Sequence, residues 1–219
     1  MRATVKKNGS GEAEAEACQC SAFSAICLLV NVRALQIFLS LAPAFILPAA
    51  PVRGTLSTDN AYSISFVDLD GNKLSTADGH VTIVVLTTPA DREQARTVGD
   101  RVPDFCLGKP TYRMITVIHF TGRHMAIGRR MAIAFIRHRV REEAKRLQAR
   151  YDAKKISRDA KSDIFVVTDF DGTVASQLGQ SAGATDFCVF VFGKTGELLA
   201  QWHSVPSADE LAAAIKKSD

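Results

Sequence analysis

The chain has 219 residues, long enough for one domain with a sizeable core plus some additional sequence. Its content of 47% hydrophobic and 23% charged residues is ordinary for a globular protein and excludes a wholly disordered one. The net charge of +4 names no partner, but thirteen Lys/Arg against four Asp/Glu between Arg123 and Lys161 concentrate a local +9, and the five cysteines include no Cys-x-x-Cys, which excludes a standard dithiol or zinc-ribbon site.

Residues 1–33 are expected to be a disordered or non-translated extension, with small polar residues and an "EAEAEA" run. Cys18, Cys20 and Cys27 lie there, without the His or further Cys pair that a metal site needs. Residues 34–50, "ALQIFLSLAPAFILPAA", are uncharged and apolar. These seventeen residues are marginal for a bilayer span, and Pro43 interrupts them. Behind Arg33 they resemble a secretory signal, the alternatives being an uncleaved anchor or a buried helix. The acidic stretch in front suits no signal, so translation is expected to begin near Val30 or Val32. Ala42-Pro43-Ala44 offers one cleavage site, while Pro51 hinders cutting after Ala50. The expected location is exported: periplasmic or membrane-anchored. Residues 51–60 read as a linker and 61–219 as the folded domain.

In that domain, Tyr62 to Gly79 reads as two short strands around a turn at Asp70-Gly71-Asn72. "HVTIVVLTT" (His80 to Thr88) is a β-branched run suited to a buried central strand. Pro89 then suits a helix start, and "ADREQARTVGDRV" reads as that helix. "TYRMITVIHF" predicts a second central strand. From Met125 to Lys154 the spacing predicts a long helix with Ile136, Val140, Ala144, Leu147 and Tyr151 as its apolar stripe and basic residues outside. "DIFVVTDF" predicts a third central strand and "VASQLGQS" a short helix or loop. "DFCVFVFG" and "ELLAQWHS" form a hairpin around Lys194-Thr195-Gly196. Ser207, with Glu210, caps a last helix.

Asp169-Phe170-Asp171-Gly172-Thr173, at the end of an apolar strand, resembles the first motif of the haloacid-dehalogenase phosphatases. There the first Asp is the nucleophile and the second a proton shuttle. The resemblance is confined to that string. Three sheet elements precede Asp169, and only 48 residues follow Asp171, too few to bring further oxygens to a Mg²⁺ site on separate strand ends. Gly193-Lys194-Thr195 is no phosphate loop either, since Cys188 stands where its leading Gly belongs.

A wider resemblance covers Tyr62 to Lys217. "FVDLDGNKLSTADGHVTIVVLTT", "IFVVTDFDGTVASQLG" and "ATDFCVFVFGKTGELLAQWHSVPSADELAAAIKK" resemble the thioredoxin-like superfamily, in its branch of peroxiredoxins and membrane-anchored thiol-disulfide reductases. The resemblance implies an α/β fold: a central mixed sheet flanked by helices, an N-terminal β-hairpin and a long basic helix after the second central strand. In that setting Asp169-x-Asp171-Gly172 ends a strand and turns the chain. The departures bear on function. Thr88-Pro89-Ala90-Asp91 stands where the resemblance places Thr-x-x-Cys, and the reductases' Cys-x-x-Cys aligns with Asp91-Arg92-Glu93-Gln94. A carboxylate cannot perform thiol exchange. Ala184 occupies the region of the superfamily's cis-proline. Thr88, Pro89, Asp91 and Ala184 therefore mark a degenerate active site.

Two thiols remain as candidate redox residues. Cys188 inside "FCVFVF" reads as a buried core residue, and Cys106 has no recognisable resolving-cysteine spacing. His119, His124 and His138 lack the i, i+4 spacing of helical metal ligands and read as solvated or capping. No cofactor and no metal are expected. Two classes of function stand: a redox-inactive exported binding or scaffold module, or an enzyme, either a divergent thiol oxidoreductase using Cys188 or Cys106 or a phosphatase using Asp169 and Asp171. Arg130, Arg137, Arg141 and Lys145 are candidate contacts to an anionic surface, whether a membrane or an acidic protein partner. Nucleic acid is not expected, because no aromatic residues interleave the basic ones.

Overall fold

The computed structural model describes residues 56–121, 126–181 and 186–218. The leader, the candidate start valines, His124 and Ala184 lie outside them. Strand β3 (Val81–Thr87) is buried at all seven positions, because both of its faces are covered. It pairs in parallel with β4 (Tyr112–His119), which pairs in parallel with β5 (Ile164–Asp169). On its other side β3 pairs antiparallel with β6 (Cys188–Phe192), and β6 with β7 (Leu198–Trp202). The sheet order is β5-β4-β3-β6-β7, and a separate antiparallel hairpin joins β1 (Ser65–Val67) to β2 (Lys73–Ser75). This is the expected architecture, a βαβαβ unit and a closing ββα unit sharing one mixed sheet, with the hairpin before them.

One strand is placed differently from expectation. "DIFVVTDF" was expected as a central strand, but β5 is an edge. The two parallel crossovers carry the chain outward in one direction, and among the described residues no strand pairs beyond β5. Its edge is protected by the β1–β2 turn: the Leu69 amide donates to the Val166 carbonyl at 2.9 Å.

The side-chain period of two divides the core. Val84 and Leu86 of β3 share one face with Ile115, Val117, Phe190 and Phe192, covered by Phe66 and Leu74 of the hairpin and by Ala175 and Leu178. Val81, Ile83 and Val85 point the other way, under α1 (Arg92–Arg101) and α4 (Ala208–Lys216). Each fully buried aliphatic or aromatic side chain contributes about 1.5–3 kcal/mol relative to exposure, so removing either cover would collapse the domain. Packing begins before Ala61, since Leu56 lies against the first face and Leu198 donates its amide to the Asn60 carbonyl at 2.9 Å. At the β6–β7 turn Gly196 has φ +85°, and a Cβ there would collide with the Tyr62 carbonyl.

Helix α2 (Ala126–Ala153) spans 28 residues, close to the expected bounds. Of its apolar stripe, Ile136 and Tyr151 are buried while Val140, Ala144 and Leu147 are half-buried. Its C-terminal half lies against the end of α1: Arg150 donates to the Val102 carbonyl at 2.9 Å, and Tyr151 accepts from the Gly108 amide at 3.1 Å. A short helix α3 (Thr173–Gln177) follows β5. The Ser207–Glu210 capping box of α4 forms as expected. Among the described residues no helix is long and apolar enough to cross a membrane.

Candidate functional site

The carboxyl end of β3 delivers Thr88 to the start of α1. Helix α1 begins at Arg92, later than Pro89 suggested, because Thr88–Asp91 forms a turn closed by the Asp91 amide on the Thr88 carbonyl at 3.2 Å. Asp91 occupies the N-cap position but makes no cap bond to the backbone. Its carboxylate instead accepts from the Thr88 hydroxyl at 2.7 Å and from Gln94 Nε2 at 3.2 Å. The Thr88 oxygen in turn accepts from the Ala90 amide at 3.2 Å. Thr88 and Asp91 thus stand together as one bonded unit, with Pro89 exposed between them. Ala184 is outside the described residues.

Cys188 opens β6 opposite Leu86 and so lies at this same end of the sheet. It is fully buried, and His203 Nδ1 stands 3.2 Å from its sulfur. Burial, and then the Asp186 carboxylate, push its thiol up to about 11. At pH 7 the thiolate is therefore on the order of one part in ten thousand. Cys106 is also buried, but in the cluster on the opposite face of the sheet. The two thiols are separated by the sheet itself and cannot meet without unfolding.

The carboxyl ends of β4 and β5 hold an arrangement that sequence reasoning missed. His119, expected to be solvated or capping, is only 2% exposed, and its Nδ1 lies 3.2 Å from Asp169 Oδ2. Asp169 is also 2% exposed and accepts from the amides of Val174 at 3.3 Å and Ala175 at 2.9 Å. Neither of its oxygens is open to a phosphoryl group. Asp171 accepts from the Thr173 amide at 3.2 Å, and hydrogen bonds from Thr173 hold its carboxyl below the usual carboxylate range. With Gly172 at φ +75°, the Asp-x-Asp-Gly string ends the strand and starts α3, as a turn. One signal was available for His119: it lies in phase with the inward Ile115 and Val117 on a strand of period two.

The basic residues of α2 divide by position. From Lys145 to Lys154, just past the end of the helix, each is neutralised: Lys145 by Glu142 at 3.1 Å, Arg146 by Glu143 at 2.9 Å, and Arg150 and Lys154 by Asp104 at 3.0 and 2.5 Å. Arg130, Arg137 and Arg141 behave differently. They are exposed, as Lys145 is, and they line a groove of about 560 Å³ between α2, the edge of β5 and the β1–β2 turn, of which Lys145 is not part. Lys161, which the sequence did not single out, joins them. Arg137 donates to the Leu69 carbonyl at 2.9 Å. Arg130, Arg141 and Lys161 make no side-chain hydrogen bond or ion pair among the described residues.

No model of a known protein family matches the chain, and no curated protein matches it in sequence. Among solved structures, it is similar to an exposed lipoprotein thioredoxin from Streptococcus pneumoniae, with 12% identity over 71% of this chain and 99% of that one and a TM-score of 0.45. It is similar to a thioredoxin-family thiol:disulfide interchange protein from Chlorobium tepidum, with 13% identity over 75% and 99% and a TM-score of 0.44. A peroxiredoxin-like protein from Aquifex aeolicus gives 16% identity over 75% and 89%, with a TM-score of 0.43.

Proposed function

We propose that the chain is a redox-inactive thioredoxin-like binding module. The observation that carries this reading is Asp91. It stands at the head of the first helix of the fold, where thiol chemistry needs a cysteine, and its carboxylate is engaged by Thr88 and Gln94. A carboxylate there is electrostatically at home, worth about 0.3–1 kcal/mol at a helix N-terminus. It cannot form or break a disulfide. Among the described residues the thiols offer no replacement pair, Cys106 and Cys188 being buried on opposite faces of the sheet.

A second reading, a divergent thiol oxidoreductase, draws on the Cys188–His203 approach of 3.2 Å at the same end of the sheet. The upward shift of the thiol weighs against it, because a nucleophilic cysteine needs its acidity increased. The full chain is expected to show no insulin reduction and no peroxide consumption above buffer. Iodoacetamide is expected to label Cys188 slowly at pH 7, the rate climbing as pH approaches about 11 in the folded protein. Turnover at neutral pH that disappears in Cys188→Ser would replace the binding-module reading with the enzymatic one.

The module is proposed to act outside the cytoplasm, on the strength of the uncharged segment 34–50 behind Arg33. Mass spectrometry of the native protein's N-terminus is expected to find it at or beyond Val30. An intact Met1–Cys20 peptide from soluble cytoplasmic protein would contradict export. Its partner is proposed to carry negative charge, as a protein or as a membrane surface.

A further inference from the structure

We infer that the groove between the N-terminal half of α2 and the edge of β5 docks an extended acidic segment of a partner protein. The inference rests on the binding-module reading and names the chemistry of what is bound. Its first support is the uneven neutralisation of α2. Every Lys and Arg from Lys145 to Lys154 has a carboxylate within 3.1 Å. Arg130, Arg141 and Lys161 have none among the described residues, yet they line one groove and come from two separate elements. The four cations outnumber the two acids of the lining, Asp68 and Asp70, so the groove keeps an excess of positive charge that favours an entering anion.

The second support is the shape and the mixed lining. A bilayer is flat and would meet the outermost cations first. Lys145, with its side chain 74% exposed, is such a residue, but it is paired with Glu142 and lies outside the groove. Ile133, Val140, Ile164 and Val166 line the groove together with the basic residues. A free phosphate ion would leave that apolar lining uncovered. An extended peptide presents alternate side chains to opposite sides, so carboxylates can reach the arginines while apolar neighbours cover the aliphatic lining. Arginine forks suit paired carboxylate oxygens. Asp68 and Asp70 also line the groove, but they are two acids against four cations, and Asp68 is held by the Asn72 side chain at 2.8 Å and by the amides of its own turn.

The test uses the full chain and a short fluorescent peptide of alternating Glu and Leu, read by anisotropy beside its Gln–Leu counterpart. The Glu–Leu peptide is expected to bind at least about tenfold more tightly, and to weaken by a similar factor between about 0.05 M and about 0.5 M salt. Arg130→Gln/Arg141→Gln/Lys161→Gln is expected to lose about tenfold or more, and Lys145→Gln nothing. Arg137 is left intact because it holds the Leu69 carbonyl. If thermal melts show the triple variant unfolded, Arg141→Gln and Lys161→Gln singly carry the comparison. Equal binding of the two peptides, an unaffected folded variant, or no binding at low salt overturns the inference. So does full displacement by inorganic phosphate, which would reduce the groove to a simple anion site. So does Lys145-dependent retention on phosphatidylglycerol vesicles without peptide binding, which would make α2 a membrane contact. Redox inactivity is read by the insulin assay, so the two readings fail separately.

Discussion

Arg113→Met is expected to lower the unfolding free energy by about 2–4 kcal/mol, measured by urea titration. Arg113 stands in β4 opposite Thr82 of β3 and is only 8% exposed. Its Nε donates to Thr82 Oγ1 at 3.0 Å, its two terminal nitrogens reach both oxygens of Asp78 at 2.7 and 2.8 Å, and it also donates to the Ser75 carbonyl. One guanidinium thereby fastens the β1–β2 hairpin to the main sheet. Methionine keeps the apolar stem but leaves Asp78 and the Ser75 carbonyl without this donor. The pair should therefore be coupled: Arg113→Met/Asp78→Asn is expected to cost clearly less than the sum of its single variants.

The same contact sets an acid limb. Burial pushes the Asp78 carboxyl up, but hydrogen bonds from Arg113 and His80 outweigh it and hold the group at about 2 against an ordinary 3.8. A depressed carboxylate stabilises the fold above its unfolded value, and that contribution disappears as pH falls from about 3.8 towards about 2. About a third of the side chain meets water, so the contribution is on the order of 1 kcal/mol. In Arg113→Met this limb should flatten, since the larger of the two influences that lower the carboxyl is gone and only His80 remains. An acid limb and a urea midpoint both unchanged in Arg113→Met would remove the guanidinium from its fastening role.

Elements whose cause is local were legible in the sequence. The β-branched run of β3, the Gly-containing turns, the 28-residue span of α2 and the Ser207–Glu210 box all announce themselves within a few residues. What escaped depends on residues far apart in the chain. Arg113 meets Asp78 across 35 positions, His119 meets Asp169 across 50, and Arg137 meets Leu69 across 68. Each of these needs the sheet order before it can be guessed, and the sequence reading gave no such order beyond expecting β5 as a central strand, where it is an edge. Phase could have narrowed the search, because Arg113 and His119 both sit on the inward phase of β4, where a polar residue requires a partner. The composition of the α2 face gave its charge correctly. It could not give the division at Lys145, which follows from acids contributed by the helix itself and by Asp100 and Asp104.

Asp169→Ala is expected to cost about 3 kcal/mol or more, the other large loss of stability in the molecule. Its two oxygens serve three donors or partners at once: the amides of Val174 and Ala175, which open α3, and the ring of His119. The Asp169 backbone carbonyl also accepts from the Phe120 amide at 3.0 Å, a bond that alanine keeps. The loss is therefore confined to the side chain, and it strands buried groups on two elements. Asp169→Asn retains an acceptor for one amide and is expected to lose about half as much. His119→Leu should cost less than Asp169→Ala, because the carboxylate keeps both of its amide donors. That order, with alanine worst, separates a packing anchor from a phosphatase nucleophile, whose asparagine variant would fold normally and lose activity. If the wild-type chain released phosphate from p-nitrophenyl phosphate with magnesium, and Asp169→Asn abolished that release without lowering the melting temperature, the anchor role would be wrong. A destabilised Asp169→Asn with no phosphate release by either chain places the carboxylate in the architecture. There it stitches the edge strand to the helix that covers the face of the sheet holding Cys188.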